Sequence, residues 1–444
     1  MTTLGDFGYR EELNRALSTR DLVIYGLIFM VPIAPYSPFG FVWEQSKGMV
    51  PLAYLVGLVG MVFTAMSYAQ MSRAFPVAGS VYTYAHRGLH EVAGFFSGWL
   101  ILMDYILVPA LLYLFSAAAL QPLFPTVPVW TWALVFISFN ALVNLLGIQF
   151  TAKLNRYLLL MQLVVLVLFV VIGLFALYHG AGAGGLTLKP IYNRQVFSLS
   201  MVVGATSIAV LSFLGFDGIS TLAEESRGGG ESVGRAVVLS LLLVGALFMV
   251  QTWVAADLAQ GMTFASPDTA FYQIAERAGG VWLRAVSSIA VVIASAIANA
   301  IAAQAAVSRI LFAMARDGKL PAVFAKIHPR FKTPYVSTLV VALVSLVAAV
   351  LMRMDDLSRI VNFGALTSFL LLHLSVVNHF FIRGRSGRRL QHLVFPILGA
   401  AVIGFVLYEM DMWAKIVGAC WVGVGVVYYL VLTLVMKKPA ELEI

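Results

Sequence analysis

Runs of about twenty mostly apolar residues recur along the whole of this 444-residue chain, and they leave few folds open to it. A helix that crosses a bilayer needs about 20 such residues. The chain is 61% hydrophobic and only 11% charged, with a mean hydropathy of +0.91, more apolar surface than a soluble core can bury. A transmembrane barrel would alternate apolar and polar residues in segments of about ten. The chain therefore reads as an all-α polytopic membrane protein. Twelve spans are expected at 20–46, 50–73, 92–119, 127–148, 154–179, 199–225, 234–257, 281–314, 336–352, 356–381, 391–409 and 412–435. The segment 266–280 reads as a short external helix.

Lysine and arginine bias sets orientation. Most of the 29 basic residues fall on one side, including Arg73, Arg87, Lys153, Arg156, "RDGKLPAVFAKIHPRFK" (316–332) and "RGRSGRR" (383–389). "QPLFPTVP" (121–128), on the other side, has no charge. Both termini are thus expected in the cytoplasm, residues 1–19 and 437–444 included. Residues 1–20 are polar and do not read as a cleavable signal. The net charge of +8 lies in loops between spans and forms no tract, so nucleic acid is not an expected partner. One cysteine, Cys420, precludes an internal disulfide or a cysteine metal cluster. No nucleophile elbow, catalytic triad, metal spacing or phosphate-binding loop is found, and no enzyme activity, cofactor or metal is expected.

Two spans carry helix breakers at depth. "FMVPIAPYSPFG" (29–40) holds Pro32, Pro35, Pro38 and Gly40, and "SFLGFDGIST" (212–221) sets Gly215 and Gly218 around Asp217. Proline removes a donor and glycine tolerates non-helical backbone. Such backbone at membrane depth persists where it is buried in protein or lines a wet cavity. A single kink is an ordinary feature of a membrane helix. Two, five spans apart, lie in halves of opposite topology and point to an inverted repeat, 20–180 and 198–382, followed by two further spans at 390–436. The site is expected between the breaks, at Pro35, Tyr36, Ser37, Phe213, Gly215, Phe216 and Asp217.

Ionisable residues inside spans are costly and mark function. Asp104, in "GWLILMDYILVPA" (98–110), and Asp217 reach the level of the first break. Together they suit an ammonium group, or a proton when no ammonium is bound. Asp217 can alternatively cap the inner half-helix. Tyr36, Tyr105, Phe213 and Phe216 are candidates to enclose a cation. Ser295 and Asn299 share a helix face that serves either packing or binding. Glu224 and Glu225, near the end of the sixth span, suit a structural or gating role. His373 is either a packing residue or a proton relay.

With these residues in view, the chain resembles the amino acid–polyamine–organocation superfamily, and above all its bacterial putrescine importers. The resemblance rests on "FPVAGSVYTYAHRGL" (75–89), "LMDYILVPA" (102–110), "SFLGFDGISTLAEES" (212–226), "AVSRILFAMARDGKLP" (306–321) and "IVNFGAL" (360–366). It implies a five-plus-five inverted repeat with two extra helices (the LeuT fold) and proton-linked import of an amine or an amino acid through the bacterial inner membrane, by a monomer or weak homo-oligomer. It implies that Asp217 faces the amine, that Asp104 and Tyr105 form an acidic-aromatic pair, and that Tyr82 and Tyr84 belong to the inner gate. Two positions depart from the pattern. Ser37 stands where the importers carry an aspartate, and Gln162 stands where some amino acid carriers have a lysine.

Overall fold

The computed structural model describes Arg15 and residues 17–77, 80–147, 152–316, 320–331 and 333–435. The segments expected to be cytoplasmic at 1–19 and 437–444 lie almost wholly outside the described residues. The first helix, α1 (Thr19–Met30), starts where Ser18 accepts from the Asp21 backbone N–H and Asp21 accepts from that of Ser18, a reciprocal cap for two otherwise orphaned donors. It is followed by α2 (Phe39–Ser46), α3 (Val50–Ala74), α4 (Ser80–Gly88), α5 (Glu91–Leu120), α6 (Val129–Leu146), α7 (Ala152–Tyr178) and α8 (Leu199–Ala209). Then come α9 (Gly229–Leu258), α10 (Ala270–Gly279), α11 (Val281–Val292), α12 (Ala300–Arg316), α13 (Tyr335–Leu351), α14 (Met354–Val376), α15 (Phe395–Glu409) and α16 (Met412–Leu430). Among the described residues there is no strand, only an isolated bridge between Leu17 and Ser226.

Among the described residues ten helices are long and apolar enough to cross a membrane, and the bent pair Thr19–Tyr36 and Phe39–Ser46 makes up to eleven. The expected span at 336–352 is the shorter helix α13, of 17 residues. The twelve spans expected are reached only if both are counted. The external helix expected at 266–280 is α10 with the single turn before it, Pro267–Thr269.

Burial sorts the helices into an interior and a rim. The most apolar stretch of α5 is 72% buried, as is that of Leu199–Glu225, and Met354–Arg383 follows at 67%. In Met412–Leu434 the figure is 17% and in Leu390–Glu409 it is 28%. On α7 an apolar stripe, Leu160, Val164, Val167, Val171 and Phe175, faces outward at helical spacing, as suits a lipid-facing surface. Polar side chains bind the interior helices to one another. Tyr54 and Ser212 share a hydrogen bond of 2.9 Å, and Asn362 donates to the Ser207 carbonyl at 2.7 Å. The buried His373 ring has Thr64 at one nitrogen (3.2 Å) and Ser67 at the other (2.9 Å), so it joins α14 to α3 by hydroxyls at both ends.

Glycine permits one close approach that shapes the fold. A Cβ built on Gly40 would sit 2.1 Å from the carbonyl oxygen of Pro267, so α2 lies directly on the loop that leads into α10. Gly404, on the rim helix α15, has nothing within 4 Å of such a Cβ. Overpacking of this kind costs roughly 1–3 kcal/mol. Gly40→Ala is therefore expected to lower the melting temperature of the detergent-solubilised protein, while Gly404→Ala leaves it unchanged. Equal melting of the two variants would refute the close approach.

Candidate transport site

The first break begins at Val31, a β-branched residue held at φ 54° ahead of Pro32. Residues before proline are pushed out of the right-handed helical region, and a β-branched side chain on the left-handed side is uncommon. A single 3₁₀ turn, Ala34–Tyr36, follows, and the chain resumes as α2 after a bend of 58°. The interruption releases backbone carbonyls. Asn299 donates to that of Phe29 at 3.2 Å, and Gln251 donates to that of Pro32 at 2.9 Å.

In the sixth span, α8 passes into a short 3₁₀ segment, Val210–Phe213, then into extended backbone at Leu214 and Gly215 at φ 111°. A 3₁₀ helix, Phe216–Glu225, completes the span. A Cβ on Gly215 would meet the Phe29 ring at 2.4 Å, so the two breaks touch each other at this glycine. One oxygen of Asp217 accepts the Gly215 backbone N–H at 3.2 Å, and the other accepts the Tyr105 hydroxyl at 3.0 Å. Asp217 thus caps the broken helix and also ties it to α5.

The eighth span, expected as a continuous helix over 281–314, is interrupted as well. Between α11 and α12 the residues Ile293–Asn299 form a π-helical segment, a feature common at functional sites. Asn140 donates to the Ala296 carbonyl at 2.8 Å, and Asn144 donates to that of Ile301 at 3.3 Å. These two amides stand one turn apart on α6 and hold the irregular stretch in place.

A cavity of about 80 Å³ lies where the three irregular segments meet α5. A water needs roughly 10–15 Å³ measured this way, so the space suits several waters or one small solute. Ser37, Asp104, Tyr105, Gly215, Asp217, Ser295 and Asn299 line it, as the sequence leads one to expect. The rest of the wall is apolar, with Val108, Leu111, Leu112 and Phe115 on one face of α5 and Leu211 and Leu214 opposite. Among the described residues, no lysine, arginine or histidine lines it. Asp104 is 6% exposed, and its Oδ1 has no hydrogen-bond partner among the described residues.

The two ends of the cavity differ. A larger hollow of about 580 Å³ shares Phe29 and Tyr105 with it and runs to Gly147, Phe331, Thr333 and Pro334, on the face of the bundle that carries Arg73 and Arg227. Toward the opposite face, Tyr36 stacks on Phe271 with ring centres 3.7 Å apart, and Phe169 lies 4.7 Å from Phe271. Phe39 meets Phe271 edge-on at 5.8 Å, and all four rings are buried.

Several expected site residues lie elsewhere. Tyr36 belongs to that aromatic plug, and Pro35 is absent from the cavity wall. Phe213 packs against Tyr54 and Phe248, and Phe216 against Tyr68 and Phe369, both behind the sixth span. Tyr84 is buried against Tyr68, whereas Tyr82 lines a separate pocket at the basic face. Glu225 lines the larger hollow, and its carbonyl accepts the Leu17 N–H at 3.0 Å. Glu224 precedes it on the same 3₁₀ helix. His373 is not part of the cavity wall. Gln162 is fully buried, with neither amide atom bonded among the described residues. Sequence reasoning missed Asn140, Asn144 and Gln251. Their signal was available, since amides inside apolar spans imply carbonyls to satisfy, and Asn140 and Asn144 are spaced to share a helix face.

Comparison with known proteins bears on this arrangement. Residues 21–438 match the family model described as amino acid permease. A low-affinity putrescine importer, PlaP, of Escherichia coli (strain K12) is 30% identical over 97% of this chain and 96% of its own. A branched-chain amino acid permease, BcaP, of Bacillus subtilis (strain 168) is 26% identical over 83% and 81%. A methylthioribose transporter of the same strain is 23% identical over 97% and 95%. A broken-helix cavity walled by carboxylates, inside a bundle of membrane-length helices, and a family match over nearly the whole chain lead to one conclusion: the chain belongs to the amino acid permease family of the amino acid–polyamine–organocation superfamily, and is a multi-pass membrane transporter rather than an enzyme.

Proposed function

We propose that this protein is a proton-coupled secondary active transporter that imports putrescine or a related cationic amine across the bacterial inner membrane by alternating access. The observation that carries the reading is the buried Asp104 carboxyl, beside Asp217, in a cavity where, among the described residues, one of its oxygens has no partner and no basic side chain lines the wall. Two carboxylates taken out of water demand compensating positive charge. An ammonium group donating to Asp104 supplies it, with Tyr105 and Asp217 alongside and the alkyl chain against Val108, Leu111 and Leu211. A proton carried on Asp217 enters with the amine on Asp104, and both leave at the basic face. Loading and loss of that proton change the hold of Asp217 on the Gly215 N–H and the Tyr105 hydroxyl, so cavity charge biases the geometry of the sixth span.

On this reading the basic face is cytoplasmic, as its excess of arginine favours. The hollow at that face is the inward exit, and the Tyr36–Phe271 plug closes the outward one. The segments 20–180 and 198–382 form the five-plus-five inverted repeat, and the first and sixth spans rock about the site. The similarity to a putrescine importer over 97% of the chain supports the amine as cargo.

A second reading, an amino acid permease, draws support from Ser37, from the apolar wall and from the branched-chain relative. It requires free backbone N–H groups for the substrate carboxylate, and the Gly215 N–H is already taken by Asp217. In proteoliposomes, putrescine uptake is expected to rise with an imposed proton gradient directed inward and to collapse with a protonophore, while leucine fails to compete. Competition by leucine without competition by amines would reverse the assignment.

Truncating one partner of a buried charge pair costs about 2–5 kcal/mol. Asp104→Asn should accordingly weaken amine binding by about 30-fold or more. Asp217→Asn keeps one acceptor oxygen for the Gly215 N–H, and its amide N–H can donate to the Tyr105 hydroxyl oxygen, so it should melt close to the parent protein yet lose uptake. Parental amine affinity in the Asp104 variant would discard its role as the anchor.

A further inference from the structure

A second hollow, of about 680 Å³, lies at the basic face between α4 and the π-helical turn Val377–Arg383 that extends α14. His86, Arg87, His379 and Arg383 line it together with Phe75 and Ser386, and among the described residues no carboxylate does. Its basic groups are positioned by the protein. Arg383 donates through one guanidinium nitrogen to the Leu89 carbonyl at 2.7 Å. The Arg87 guanidinium lies over the Phe75 ring at 5.9 Å, and the His379 ring lies 4.9 Å from the same ring. The loop that leaves the hollow adds Arg385, Arg388 and Arg389. Guanidiniums around a space that no carboxylate lines among the described residues suit the oxygens of a phosphate group.

We infer that this hollow binds the phosphate headgroup of an anionic phospholipid in the leaflet at the basic face. A lipid fits better than free phosphate because exposed apolar side chains flank the basic loop on both sides. Ile382, ahead of the basic loop, is 61% exposed and Leu390, after it, is 62% exposed, at the ends of two membrane-length helices where acyl chains lie. Basic pockets between membrane helices recognise headgroups in this way. The site has a route to transport, because α4 packs against the 3₁₀ helix Phe216–Glu225 that carries Asp217. A headgroup held between α4 and Arg383 braces the inner half of the sixth span, independently of what the cargo is.

The test is native mass spectrometry of the full chain in detergent, titrated with phosphatidylglycerol or phosphatidylcholine. Phosphatidylglycerol is expected to bind in preference. Each basic residue near a membrane surface contributes about 1 kcal/mol, so each arginine neutralised weakens binding by about fivefold. The double variant Arg87→Gln, Arg383→Gln should bind about 25-fold more weakly, whereas Arg235→Gln, on the same face but outside the hollow, should bind as the parent does. If the double variant fails to fold, Arg383→Gln alone, at an exposed position, should show the fivefold loss. Undiminished binding in these variants, equal binding of phosphatidylcholine, or displacement by inorganic phosphate alone would overturn the proposal. The readout does not involve the cargo, so it stands or falls apart from the amine assignment.

Discussion

A peptide group cut loose from its helix at membrane depth has no water to bond, and this structure is organised around meeting that demand. Helix is lost at Val31–Pro38, at Leu214–Gly215 and, in milder form, at Ile293–Asn299. At each place a buried side chain answers the backbone. Gln251 and Asn299 serve the first break, Asp217 the second, and Asn140 and Asn144 the carbonyls in and just after the π-helical segment. These partners come from four different helices, so satisfying the backbone also fixes how the helices stand around the cavity. Asp217 has a double part in this, since the carboxylate that would attract a cation is the group that caps the helix.

The cavity that results is polarised in two senses. Among the described residues its charge-bearing side chains are the acids Asp104 and Asp217, with Asp104 less satisfied, so the residue with the fewer protein bonds has more to gain from a bound cation. Its exits are unequal, with an open hollow toward the basic face and four packed rings toward the other. The rings meet through faces and edges rather than hydrogen bonds, and the buried Tyr36 hydroxyl has no partner among the described residues. The tight seating of Gly40 on Pro267 extends the same packing to the turn that leads into α10.

Much of this was legible in the chain itself. Three prolines in twelve residues and a Gly-x-x-Gly around an aspartate announced both breaks, and acids at mid-span announced the cavity chemistry, because neither feature survives in a lipid-facing helix without a reason. The family words, spread from residue 75 to residue 366, were strong enough to name the superfamily. The aromatic residues were less legible. Tyr36, Phe213 and Phe216 sit beside the breaks in sequence, yet they point into the plug or behind the sixth span. The cause is geometric. Tyr36 ends the 3₁₀ turn Ala34–Tyr36, Phe213 ends Val210–Phe213, and Phe216 starts Phe216–Glu225 after the non-helical Leu214 and Gly215, so the roughly 100° per residue of an α-helix does not set where these three rings point.

By itself, then, the sequence determined what is additive along a chain. Twenty-residue apolar runs make membrane-length helices wherever they occur, and proline or glycine interrupts them, and each of these acts locally. Only the tertiary structure decided which groups share the cavity, that Gly215 sits against Phe29 beside the other break, and that both Asp217 oxygens accept hydrogen bonds while Asp104 Oδ1 has no partner among the described residues. Those outcomes depend on distances between helices far apart in sequence and on the facing of irregular turns, and no local rule carries that information.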